Sequence, residues 1–116
     1  PTRRSSDLGL SHRKRWIAFG AAVRGTLLVD DGARRALVEK GSSLLPIGIT
    51  GVEGLFAKGD AVRIATAEGV PVGAGLVNFS SEDVNRIKGC KSHEIPAILG
   101  RADFDVVVHR DNLALT

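Results

Sequence analysis

The sequence lacks methionine and tyrosine altogether, and it holds one cysteine, one tryptophan and four phenylalanines in 116 residues. One cysteine excludes an internal disulfide, which fits a reducing compartment such as the cytoplasm. Scarce aromatics exclude a large aromatic core and deprive the chain of stacking platforms for unpaired bases. No apolar run approaches the ~20 residues that a membrane helix needs, and no secretory apolar region is present, so no membrane partner is expected. Without Met, and beginning Pro1-Thr2-Arg3, the chain has either lost an initiator or been cut from a longer protein.

What is abundant is small and aliphatic. Fourteen glycines and a 43% hydrophobic content rich in Val, Leu, Ile and Ala predict a turn-rich, mainly β domain with a modest core. The net charge of +3 is unevenly placed. Arg3, Arg4, Arg13, Lys14 and Arg15 stand against Asp7 alone, so the rest of the chain carries one net negative charge. A nucleic-acid module more often shows a basic face across its folded body. Residues 1–15, polar and Arg/Ser-rich without a period, read as a linker from a parent chain, and the second of the two origins is favoured. The domain is expected over 16–116, with residues 16–19 as a short apolar anchor or edge strand.

Residues 25–46 organise the rest. Leu27 and Val29 alternate with polar or outward positions and predict a strand. Asp30 and Asp31 supply an N-cap and an acidic first turn. Ala33, Ala36 and Leu37 share one apolar face, and Arg35 and Glu39 are spaced to pair outside it. Lys40 closes the last turn and Gly41 suits a left-handed C-cap.

Further along, Ile47 and Ile49 predict a strand ending in a turn at residues 51–54. Turns are expected at Gly59-Asp60 and at residues 67–69, framing a strand through Val62 and Ile64. Val70, Val72, Ala74 and Leu76 alternate as the return strand. Gly73 and Gly75 on its other side indicate a bulge or a close backbone approach. Ser80 with Glu82 and Asp83 starts a helix through Val84 and Ile87 that Lys88 and Gly89 close. Ser92 starts another, stopped at Gly100. Residues 106–108 and 113–115 read as closing strands. The architecture expected is a small mixed β-barrel with two or three short helices.

Catalytic constellations are hard to find. Gly54 and Gly59 imitate phosphate-loop spacing, but Asp60 stands where a lysine would meet the phosphates, so turn glycines are the better reading. His109-Arg110-Asp111-Asn112 resembles the start of a kinase catalytic loop only in four letters, and reads as a turn. Cys90 and His93 form half a metal site without a second pair, and His12 and His109 are distant in sequence. Glu82-Asp83 caps a helix, and Asp103 and Asp105 flank a loop. No catalytic, cofactor or metal residue is assigned, and the chain alone is expected to be inactive.

The stretches GTLLVDDGARRAL, GSSLLPIGI, VEGLFAKGDAVRI and GAGLVNFSS together resemble a PUA domain, a small pseudo-barrel found in several RNA-modifying enzymes. RKRW, SSLLP, VEG-x-F-x-x-GD-x-V, GL-x-N-F-SS and HRDNLAL narrow the resemblance to the C-terminal PUA domain of the bacterial glutamate 5-kinase family. It covers residues 13–115, with departures at Phe79, Cys90, Val106 and Val107. The resemblance implies a parent that moves the γ-phosphate of ATP, with Mg2+, to the side-chain carboxylate of glutamate in the first step of proline biosynthesis. That chemistry would belong to an amino-acid-kinase domain outside this sequence. This domain would be a non-catalytic structural or regulatory module whose partners are the kinase domain and a neighbouring subunit. The alternative it implies is an RNA-binding module of an RNA-modifying enzyme. The recognition surface would then use Arg34, Arg35 and Lys40 with the backbone of Gly41, Ser42 and Ser43. A solvated helix face and a helix stop explain the same residues and are favoured, since fold analogy alone does not establish function.

Overall fold

The computed structural model describes residues 23–100 and 104–115. The expected linker 1–15, the apolar anchor at 16–19, His12 and Asp103 lie outside the described residues.

Five strands and three α-helices make up the described residues: β1 Val23–Val29, α1 Asp31–Lys40, β2 Ile49–Gly54, β3 Ala61–Thr66, β4 Pro71–Leu76, α2 Ser81–Ile87, α3 Ile95–Leu99 and β5 Leu113–Leu115. The sheet order is β2-β1-β3-β4-β5. β1 pairs antiparallel with β2 and parallel with β3, whereas β3–β4 and β4–β5 are antiparallel. The sheet is therefore mixed, as expected, and α2 packs on the edge strand β2.

Alternation sets which side of the sheet is the interior. Leu27 stands level with Val52 on β2 and Ile64 on β3, while Thr26 stands level with Glu53 and Arg63. Leu27, Val62 and Ile64 are completely buried, and Leu37, Val84, Ile87 and Ile95 close over them from the three helices. Each such side chain contributes about 1.5–3 kcal/mol relative to exposure.

The capping expectations hold. Asp30 is the N-cap of α1, its Oδ1 accepting from the Ala33 N–H at 2.7 Å. Gly41 ends the helix at φ 63°, a conformation that costs glycine little. Ser80 caps α2 by accepting from the Asp83 N–H at 3.2 Å. Turns fall at Gly59-Asp60 and before Gly69 as expected, with Asp60 Oδ2 accepting from the Ala57 N–H at 2.8 Å.

Three expectations are corrected. Residues 51–54 are not a turn: β2 runs through them, and Ile47, 48% exposed, belongs instead to a 3-10 turn at Pro46–Gly48. Gly51 is small because it lies opposite Leu28, where an added Cβ would come within 3.2 Å of Leu28 Cδ1. Within 51–54 only Gly54 has a positive φ, 84°, and it ends the strand.

The second concerns β4. Its glycines, not its larger residues, face the interior: Gly73 is level with Ile64 and Leu115, and Gly75 with Val62 and Leu113. Pairing slips between Ile64 and Ala65, so Val72 sits at a bulge and is still buried, whereas Ala74 and Leu76 are half-exposed on the other side. Both devices foreseen for Gly73 and Gly75, bulge and close approach, occur. A Cβ on Gly75 would lie 2.5 Å from Val108 Cγ1 and 2.9 Å from the Asn112 carbonyl oxygen.

Thirdly, residues 106–108 form one isolated bridge, Leu44 to Val108, rather than a strand. Their backbone groups divide between two neighbours. Val107 N–H donates to the Leu44 carbonyl at 2.8 Å, and the Val107 carbonyl accepts from the Asn78 N–H at 2.8 Å. Asn78 Nδ2 also donates to the Val106 carbonyl at 3.1 Å. A segment bonded this way satisfies its polar groups without joining a ladder.

Candidate functional site

The groove beside α1 is built by the close approach of three pieces of chain. Asp30 N–H donates to the Gly48 carbonyl at 3.0 Å, which holds the end of β1 and the 3-10 turn together. Gly48 lies directly against Ala33 on the first turn of the helix, with no room for a side chain between them. At the other end, Ser42 N–H donates to the Ala36 carbonyl at 3.1 Å, and Ser43 Oγ accepts from the Arg110 N–H at 2.8 Å. Between these ties lies a groove of about 330 Å³ lined chiefly by Ala33, Ala36, Ser42, Ser43, Leu45 and Ile47.

The six residues expected to contact RNA divide into two groups. Ser42 and Ser43 line the groove; Gly41 and Ser42 line an adjoining hollow of about 270 Å³ that also includes Arg110. Arg34, Arg35 and Lys40 line neither. Both guanidinium groups turn toward one carboxylate. Arg34 Nη2 is 3.2 Å from Asp31 Oδ1 and Arg35 Nε is 3.1 Å from Asp31 Oδ2. Arg35 thus reaches back to Asp31 instead of forward to Glu39, a correction to the expected pair. An acid four residues before the base is the better helical order, and it places the negative charge at the positive helix end.

Sequence reasoning missed Leu45 and Ile47, which are 43% and 48% exposed at the groove. The signal was Pro46 between them: it takes the first position of the 3-10 turn, where its fixed φ is accepted, and there the strand alternation is broken. It also missed that Asp31 would occupy both arginines. Chemically, the groove offers apolar contact and two hydroxyls. Its one ionisable side chain, Asp30, is engaged in capping.

Elsewhere the residues singled out for chemistry take structural positions. His109-Arg110-Asp111-Asn112 is a 3-10 turn leading into β5, with His109 as its N-cap. His93, Asp105, His109 and Asp111 line a hollow of about 630 Å³ together with Phe104, over which Lys58 Nζ sits 4.6 Å from the ring centre. Cys90 is a half-buried free thiol after α2. Among the described residues, no group of three or more His, Cys, Asp or Glu side chains is placed to hold a metal ion. No helix among them is long and apolar enough to cross a membrane.

The PUA family model matches residues 25–99, more than half of the chain, so the chain belongs to the PUA domain family. It is similar to a glutamate 5-kinase of Caldanaerobacter subterraneus subsp. tengcongensis, 53% identical over 106 residues, which are 91% of this chain and 28% of that protein. A glutamate 5-kinase of Synechococcus sp. (strain JA-3-3Ab) is 57% identical, over 91% of this chain and 29% of the relative. The chain thus spans under a third of the length of these curated relatives. Among solved structures, a PUA domain from Aeropyrum pernix K1, crystallised as a tartrate complex, superposes with a TM-score of 0.53 at 26% identity, covering 87% of this chain and 47% of that one.

Proposed function

We propose that this chain is the PUA module of a bacterial glutamate 5-kinase and that it acts by packing and regulation, without chemistry of its own. The observation that carries this reading is identity of 53–57% over 91% of the chain to relatives of that name, confined to 28–29% of their length. On this reading ATP, Mg2+ and glutamate are handled by a separate kinase domain in the cytoplasm, for proline biosynthesis. The module's partners are that domain and a neighbouring subunit.

RNA recognition is supported by the fold class alone. The groove is lined by neither an arginine nor a lysine, and by no aromatic ring, which weighs against phosphate clamping and base stacking.

The test is a chimera in which this chain replaces the matching 28% of the Caldanaerobacter enzyme. Glutamate-dependent ADP release, proline response and assembly are compared with the parent enzyme, and the isolated chain is assayed alongside. An active chimera with parental assembly and proline response, beside an inert isolated chain, is expected. ATP turnover by the isolated chain, or an inactive or unassembled chimera, would overturn the reading.

A further inference from the structure

The turn before β5 is capped by an imidazole, and the cap works in only one protonation state. His109 Nδ1 accepts from the Asp111 N–H at 3.0 Å. To accept, Nδ1 must be unprotonated, which places the ring proton of the neutral imidazole on Nε2. The Asp111 carboxylate waits beside the same atom, its Oδ2 3.5 Å from Nδ1. Adding a proton from solvent to the Nδ1 lone pair removes the acceptor of the backbone bond. It creates a donor, N–H, for that carboxylate.

The consequence reaches the groove. The residue between cap and carboxylate, Arg110, donates its backbone N–H to Ser43 Oγ at 2.8 Å, and Ser43 lines the groove beside α1. A turn that loses its cap loosens the N–H that holds this hydroxyl. The charged and titratable groups sharing the hollow with His109 are His93 from the turn at Ser92–Glu94, Asp105 from the segment before Val106, and Asp111 itself; Arg110 is its chain neighbour.

We propose that His109 is a proton-controlled cap: neutral, it orders the turn at Arg110–Asn112 and ties down Ser43, and protonated, it exchanges the backbone bond for the Asp111 carboxylate and releases the Ser43 hydroxyl toward the groove. This goes beyond the reading of the chain as a kinase module and stands whether or not that reading does.

The experiment is nuclear magnetic resonance on the full ¹⁵N-labelled chain from pH 8 to pH 5. At pH 8 the His109 ring is expected to carry its proton on Nε2. On acidification the amide signals of Arg110, Asp111 and Ser43 are expected to move with the His109 ring, and Asp111 amide exchange, corrected for its intrinsic pH dependence, to quicken about five-fold, the factor of a typical N-cap. His109→Asn keeps a good capping acceptor and should hold these signals level across the range, while Ser43→Ala should abolish the response at the residue-43 amide and leave that at Asp111. His93→Asn should change neither. A proton on Nδ1 at pH 8, amides that ignore the His109 titration, a response that persists in His109→Asn, or one abolished by His93→Asn would overturn the proposal.

Discussion

Leu44 and Val108 meet in a single antiparallel bridge, the Leu44 N–H donating to the Val108 carbonyl at 2.8 Å. Sixty-odd residues separate them, yet both side chains are essentially buried. This contact joins the loop after α1, which lines the groove, to the segment that leads into β5. Leu44→Ala should therefore lower unfolding stability by about 2–5 kcal/mol, through lost burial and a residual cavity. Leu45→Ala, next in sequence but 43% exposed, should cost under ~1 kcal/mol. Urea midpoints of the two variants provide the comparison, and equal losses would contradict the packing described.

Two glycines give a test of space against conformation. Gly75→Ala introduces a methyl group against Val108 and the Asn112 carbonyl, so overpacking of about 1–3 kcal/mol is expected. At Gly41 nothing lies within 4 Å, and only the φ of 63° opposes a side chain. Gly41→Ala should cost about 1–2 kcal/mol, and Gly41→Asn less, because Asn tolerates that conformation. Such a rescue is not available at Gly75. Thermal unfolding of the three variants decides it.

Asp30 gives α1 its start. Asp30→Ala should cost about 1 kcal/mol, and Asp30→Asn a smaller amount, because an amide oxygen still caps. Chemical denaturation reads the difference. Comparable losses in both would show that the carboxylate charge, not its hydrogen bond to Ala33, is what counts.

Asp31 bears on RNA. It occupies Arg34 and Arg35 at an exposed site, where ion pairs contribute little, so Asp31→Asn should change stability by no more than about 1 kcal/mol. The two guanidinium groups would then be available to phosphates. Any binding of structured RNA by the unsubstituted chain should strengthen in Asp31→Asn, with a salt slope steeper by about one to two units. An Arg34→Ala/Arg35→Ala double variant that loses tight parental binding would instead show that the arginines already serve as an RNA surface despite Asp31.

Short-range features were legible in the sequence because each is decided within a few residues. The caps at Asp30 and Ser80, the left-handed stop at Gly41, the turn at Gly59-Asp60 and the buried pair Val62 and Ile64 all follow from local hydrogen bonding and alternation. The candidate groove was only half legible: Ser42 and Ser43, singled out as RNA contacts, line it, but the position of Ile47 depended on Pro46 breaking the strand, and that of the arginines on which carboxylate captured them.

Only the tertiary structure decided which side β4 turns inward, since its alternation of Val, Ala and Leu with glycine favours the opposite face. Gly73 and Gly75 face inward because β5 and Val108 come so close that no side chain fits there, and that closeness is a property of segments thirty or more residues away. The same holds for residues 106–108, whose strand-like composition yields one bridge because Leu44 and Asn78 divide their backbone groups. Periodicity reports how a segment pairs its own residues; which distant backbone arrives beside it is settled by packing of the whole core.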